Sequence, residues 1–142
     1  MDEREKKVIR SDWRRLGFYY DRDDLLKERR LVGSREGLLR FATLLRTYVA
    51  DPRNAVKSEH EHYGPYMSLE VMTWPEAGMD DHAIQGPLEE LERLADLVAG
   101  KLEDLQPGNE VRIKEEFAPS ADYALVLELR DDGFDPASMD SG

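Results

Sequence analysis

The sequence predicts an α+β fold: a two-layer sandwich with two helices on one face of a mostly antiparallel sheet of four to six strands. Two segments place apolar residues at helical spacing, and several shorter ones alternate apolar with polar residues. An internal echo joins them: GSREGLLRFATLL (33–45) aligns without gaps to GPLEELERLADLV (86–98). Gly33 matches Gly86, Leu38 matches Leu91, Arg40 matches Arg93 and Ala42 matches Ala95. A duplicated strand–Gly turn–helix–strand unit would produce this, and so would any two amphipathic helices with leucines at one spacing.

Taken in order, Leu16, Phe18 and Tyr20 alternate in a first strand, and a short strand covers 29–33. Ser34 then suits an N-cap, and Leu38, Phe41, Ala42, Leu45 and Val49 make the stripe of a helix that stops near Asp51-Pro52. Met67, Leu69 and Val71 share a strand face, and a short apolar pair follows at Ala83-Ile84. Pro87 suits the first turn of the second helix, whose stripe is Leu88, Leu91, Ala95, Val98, Leu102 and Leu105. Glu89, Glu90 and Glu92 complement its positive end, and Pro107-Gly108 closes it. Val111, Ile113 and Phe117 alternate in the next strand, and Tyr123, Leu125, Leu127 and Leu129 in the last. The domain is expected over 11–130, with mobile ends at 1–10 and 131–142, the latter acidic.

Composition sets the surface. The 142 residues are 36% charged, and the formal charge is −11. Residues 1–57 hold fifteen Lys/Arg against ten Asp/Glu, whereas 58–142 hold five against twenty-one. Such a field steers cationic partners and disfavours nucleic acid, whose phosphates need a basic stripe. With no cysteine, disulfides and thiolate chemistry are excluded. The charged N-terminus and the lack of a long apolar run predict a cytoplasmic protein with no membrane span.

Candidate chemistry gathers in the two long loops, 51–65 and 74–86. In Glu59-His60-Glu61-His62-Tyr63 an extended backbone would point both histidines to one face. With His82, beside Asp80 and Asp81, they could hold Zn or another divalent metal. Neither Gly33-Ser34 nor Gly86-Pro87 fits a phosphate loop; a tight turn plus a cap explains both. Aromatic residues also gather near the loops: Trp13, Tyr19, Tyr20, Tyr63, Tyr66 and Trp74. Tyr63, Tyr66 and Trp74 flank Glu59, Glu61, Glu76, Asp80 and Asp81, a combination suited to a basic protein partner.

The phrase LVGSREGLLRFATLL, followed by the pair His60 and His62, resembles small bacterial toxin-immunity proteins of the immunity protein 32 type. The resemblance implies a stoichiometric inhibitor of a toxin, and it assigns no residue a role. The leading expectation is therefore a non-enzymatic, acidic protein-binding module without a cofactor. A metal-binding domain or metal-dependent enzyme using His60, His62 and His82 is the alternative. A homodimer formed through an open sheet edge is a third possibility.

Overall fold

A computed structural model describes residues 1–141. The elements are α1 (Glu3–Leu16), β1 (Tyr19–Asp23), β2 (Glu28–Gly33), α2 (Arg35–Ala50), β3 (His60–Tyr63), β4 (Leu69–Thr73), β5 (Gly78–Met79), β6 (Ile84–Gly86), α3 (Leu88–Asp104), β7 (Glu110–Ile113) and β8 (Ala124–Leu129). The fold is α+β, but its strands form two four-stranded sheets instead of one, in the orders β1-β2-β8-β7 and β3-β4-β6-β5. Pairing is mostly antiparallel, with parallel contacts at β2–β8 and β4–β6. Helix α2 packs on the first sheet through β2 and β8, α3 packs on the second through β6, and the helices pack on each other.

The echo seen in sequence has a counterpart in topology. Each half runs hairpin, helix, strand pair, and the hairpin of one half joins the strand pair of the other. The pre-helix strands β2 and β6 each lie parallel to the last strand of the opposite half, β8 and β4. The aligned helix positions are buried alike: Leu38 with Leu91, Phe41 with Leu94, Ala42 with Ala95, Leu45 with Val98. Two sheets arise because the strands after α2 pair with the second hairpin and not back onto the first. A choice of partner that distant leaves no trace in local alternation.

Residues 3–10 open helix α1, and the tail after residue 131 returns to pack against that helix. Asp2 caps α1 by accepting the Glu5 N–H at 2.9 Å, Gly17 closes it in the left-handed region (φ 98°), and Trp13 on its inner face is buried. Leu16 therefore ends a helix and does not begin a strand. The tail makes a 3-10 turn over Pro136–Met139 against α1, where Arg14 grips Asp135 with bonds of 3.0 and 3.2 Å. No helix among the described residues is long and apolar enough to cross a membrane.

The outer face of the first sheet is a ladder of opposite charges drawn from both halves. Arg30 reaches Glu110 at 2.8 Å, Glu128 at 3.0 Å and Glu28 at 3.2 Å, Arg112 reaches Glu28 at 2.7 Å, and Arg130 reaches Glu128 at 2.6 Å. These bonds hold the Glu110 carboxyl below its ordinary range. Three of the four edge strands also carry charge, with Asp21, Arg22 and Asp23 on β1, Glu61 on β3, and Glu110 and Arg112 on β7. Charge of this kind discourages further strand pairing.

Candidate functional site

Where the two sheets meet, beneath α1 and the tail, lies a cavity of about 390 Å³. Its floor is apolar and comes from central strands of both sheets: Leu31 of β2, Leu69 of β4 and Ile84 of β6. Its wall is aromatic. Trp13 stands 4.7 Å from Tyr19, 4.9 Å from Tyr20 and 6.4 Å from Tyr66, measured between ring centres.

The wall is braced by hydrogen bonds to the tail and to one strained turn. Trp13 Nε1 and Tyr66 Oη both donate to Asp140 Oδ2, at 2.8 and 2.6 Å. Tyr20 Oη donates to the Pro65 carbonyl and accepts the Ser68 N–H at 3.3 Å. That clamp holds a turn in which Tyr66 (φ 65°) and Met67 (φ 55°) both occupy the left-handed region, a cost the surrounding contacts must offset. Burial raises the pKa of Tyr19 and of Tyr20, and the hydrogen bond to Asp140 pushes Tyr66 up to about 12. All three phenols are therefore neutral donors at physiological pH.

One corner of the cavity is cationic. Arg22 and Arg29 lie directly opposite each other across the β1–β2 hairpin, and both line the cavity. Arg22 is occupied: Nε and Nη2 reach the two carboxylate oxygens of Asp24 at 2.7 and 3.2 Å, and Nη1 donates to the Asp81 carbonyl. Arg29 alternates with Leu31 on the inward face of β2 and is only 5% exposed. Its Nε donates to the Asp80 carbonyl at 2.9 Å, and its Nη2 has no partner among the described residues. Burial lowers its pKa.

The residues singled out from sequence fall in three places. Tyr66, Asp80 and Asp81 border the cavity or its cationic corner. The Asp80 carboxylate closes its own turn, with Oδ1 accepting the N–H groups of His82 and Ala83 at 2.8 and 2.9 Å. Glu59, Glu61 and Tyr63 lie at or just before β3. The Glu61 carboxylate is 3.9 Å from Arg53, and the half-buried Tyr63 packs against the core, its hydroxyl pushed up to about 12 by burial. Trp74 stands under Lys57 Nζ, 5.2 Å from the ring centre, and shares a crevice with Glu89; Glu76 is exposed nearby in sequence.

The histidines divide in the same way. His60 and His62 share a face of β3, their ring centres 5.1 Å apart. His62 Nδ1 lies 3.0 Å from the Met67 carbonyl and Nε2 lies 3.4 Å from Glu70. His82 sits in the β5–β6 turn, near Asp81 at 3.8 Å, with β4 between its hairpin and β3. No group of three or more His, Asp or Glu side chains able to hold a metal converges among the described residues.

Arg22, Arg29 and Asp140 escape sequence reasoning. The one signal for Arg29 is its alternation with Leu31 and Gly33, which sets a charge on the face that α2 covers. Compared with protein-family models, curated proteins and solved structures, the chain matches none.

Proposed function

We propose that this protein is a non-enzymatic binding module of the cytoplasm, which takes a basic protein partner on its acidic surface. The supporting observation is how charge is used within the chain. Arg30, Arg46, Arg53, Arg93 and Arg112 are each tied to a carboxylate of the same molecule. Glu59, Glu76, Glu89 and Glu92 are exposed and make no ion pair among the described residues. The net −11 is thus carried by outward carboxylates, some of them near the half-buried Trp74. An aromatic centre with a carboxylate rim suits a cationic protein, and the immunity-type resemblance gives its class as a cationic toxin.

The experiment measures association with a basic partner recovered from the native host, at low and at physiological salt. Replacing Glu76 and Glu89 by lysine should slow association at low salt by about tenfold, because steering acts on the on-rate. An unchanged on-rate removes this surface from the reading. A Glu61→Lys, Asp81→Lys variant tests the other acidic loops in the same way.

A further inference from the structure

We propose that the inter-sheet cavity is a binding site for a small aryl carboxylate, with the Arg29 guanidinium as the group that takes its oxygens. Among the described residues, the sole side-chain hydrogen bond of Arg29 is Nε to the Asp80 carbonyl, and no carboxylate lies within ion-pair distance. Asp80 and Glu70 favour its charge only from beyond ion-pair distance, and a buried charge without a contacting counter-charge is costly. The nearest candidate, Asp80, turns its carboxylate to the N–H groups of His82 and Ala83 instead. Directly across the hairpin stands Arg22, a like charge that raises the cost of leaving Arg29 unpaired.

Counted back four residues from the matched Gly33 and Gly86, Arg29 of β2 corresponds to His82, which lies in the β5–β6 turn with its side chain 83% exposed. The cation is peculiar to the half that owns the cavity.

The walls select the kind of anion. Asp21 and Asp140 also line the cavity, and they repel a dianion such as phosphate about twice as strongly as a monoanion, which favours a single negative charge beside Arg29. A planar carboxylate matches the guanidinium fork. Trp13, Tyr19 and Tyr20 offer ring faces and edges to a flat body over the floor of Leu31, Leu69 and Ile84. A volume of about 390 Å³ accommodates a ligand of one or two rings.

The test uses the whole protein and three probes: indole-3-acetate, its neutral amide, and inorganic phosphate. Binding is read from the Trp13 Nε1–H resonance and from the melting temperature. The expected result is saturable binding of indole-3-acetate that raises the melting temperature, with the amide and phosphate at least tenfold weaker. Arg29→Met should lose at least tenfold in affinity while the unliganded variant melts no lower than the parent, because an unpaired buried charge has been removed. Equal binding of acid and amide overturns the proposal. So does stronger binding of phosphate, or no shift with any probe at millimolar concentration. If Arg29→Met fails to fold, the acid–amide ratio on the unmodified protein still decides, and an Arg29→Met protein that retains binding also overturns it.

Discussion

The two halves of the molecule start their helices in the same way and then use the frame differently. In each, a pre-helix strand ends on a glycine and the helix begins two residues later, β2 at Gly33 and α2 at Arg35, β6 at Gly86 and α3 at Leu88. The first hairpin has strands of five and six residues, the second strands of two and three. The longer hairpin is roofed by α1 and the tail, and the cavity beside it holds the buried cation Arg29. The repeated parts thus act as scaffold, and the candidate site grows from the parts with no counterpart, in keeping with the rule that function is grafted onto a fold.

Substitutions at matched positions can break or sharpen that contrast. The largest effect is expected at position 37, where α2 meets the end of α1. A Cβ on Gly37 would lie 2.1 Å from the Gly17 carbonyl oxygen, backbone against backbone. Gly37→Ala should therefore lower stability by about 3 kcal/mol in chemical denaturation. The matched residue of α3 is Glu90, in that helix's first turn and paired with Arg93, and Glu90→Gly should cost about 1 kcal/mol. Equal losses would mean that the α1 junction is no tighter than a free helix surface.

Position 48 gives a smaller contrast. Tyr48 Oη donates to the Glu59 carbonyl at 2.7 Å and contacts Thr73 Oγ1 at 2.7 Å, while Asn54 Nδ2 donates to the Tyr48 carbonyl at 2.9 Å. This buried network ties the end of α2 to β4, and Tyr48→Phe should cost about 1 kcal/mol by removing its hydroxyl contacts, since the Glu59 carbonyl keeps the Thr73 N–H and Thr73 Oγ1 keeps the Asn54 carbonyl. The matched Lys101 makes a partly exposed pair with Glu116 at 2.6 Å, and Lys101→Met should change stability by under about 0.5 kcal/mol. Thermal melts of both variants decide between buried and surface use of one helix position.

The smallest effect is pH dependence, shared by the halves. The Tyr123 hydroxyl and Arg22 hold Asp24 below the usual carboxylate range, Arg53 does so for Asp51, Arg30 for Glu110 and Lys101 for Glu116. A depressed folded-state pKa contributes stability above the unfolded value, near 4, and loses it as pH falls through the folded value. Melting temperature should therefore decline gently below about pH 4. Replacing Glu110 by glutamine should flatten the decline slightly, and an unchanged profile would remove the Arg30 pair as a contributor.

Much of this frame is legible in the sequence. The stripes of α2 and α3 name core residues directly, Ser34 caps α2 through the Gly37 N–H at 3.0 Å, and Leu125, Leu127 and Leu129 of β8 are buried. Helix α1 carries the same signals, with a cap at Asp2, a stop at Gly17 and a stripe of Ile9, Trp13 and Leu16. Its dense charge masks them, because only a narrow stripe is needed when one face packs. The site is less legible, since Trp13, Arg29 and Asp140 converge through tertiary packing that local spacing does not encode. Arg29 also hides as one of two adjacent arginines, of which Arg30 faces outward to the ion-pair ladder.

The exchange of strands between halves also fixes when the protein can assemble. Strand β2, complete at residue 33, lies parallel to residues 124–129 and has no other neighbour on that side. During synthesis at roughly 5–20 residues per second, its apolar Leu31 and Val32 wait on the order of 5–20 seconds for β8 to emerge from the ribosome. The first half cannot finish alone, so the newborn chain carries an open, partly apolar edge until residues 124–129 have been made.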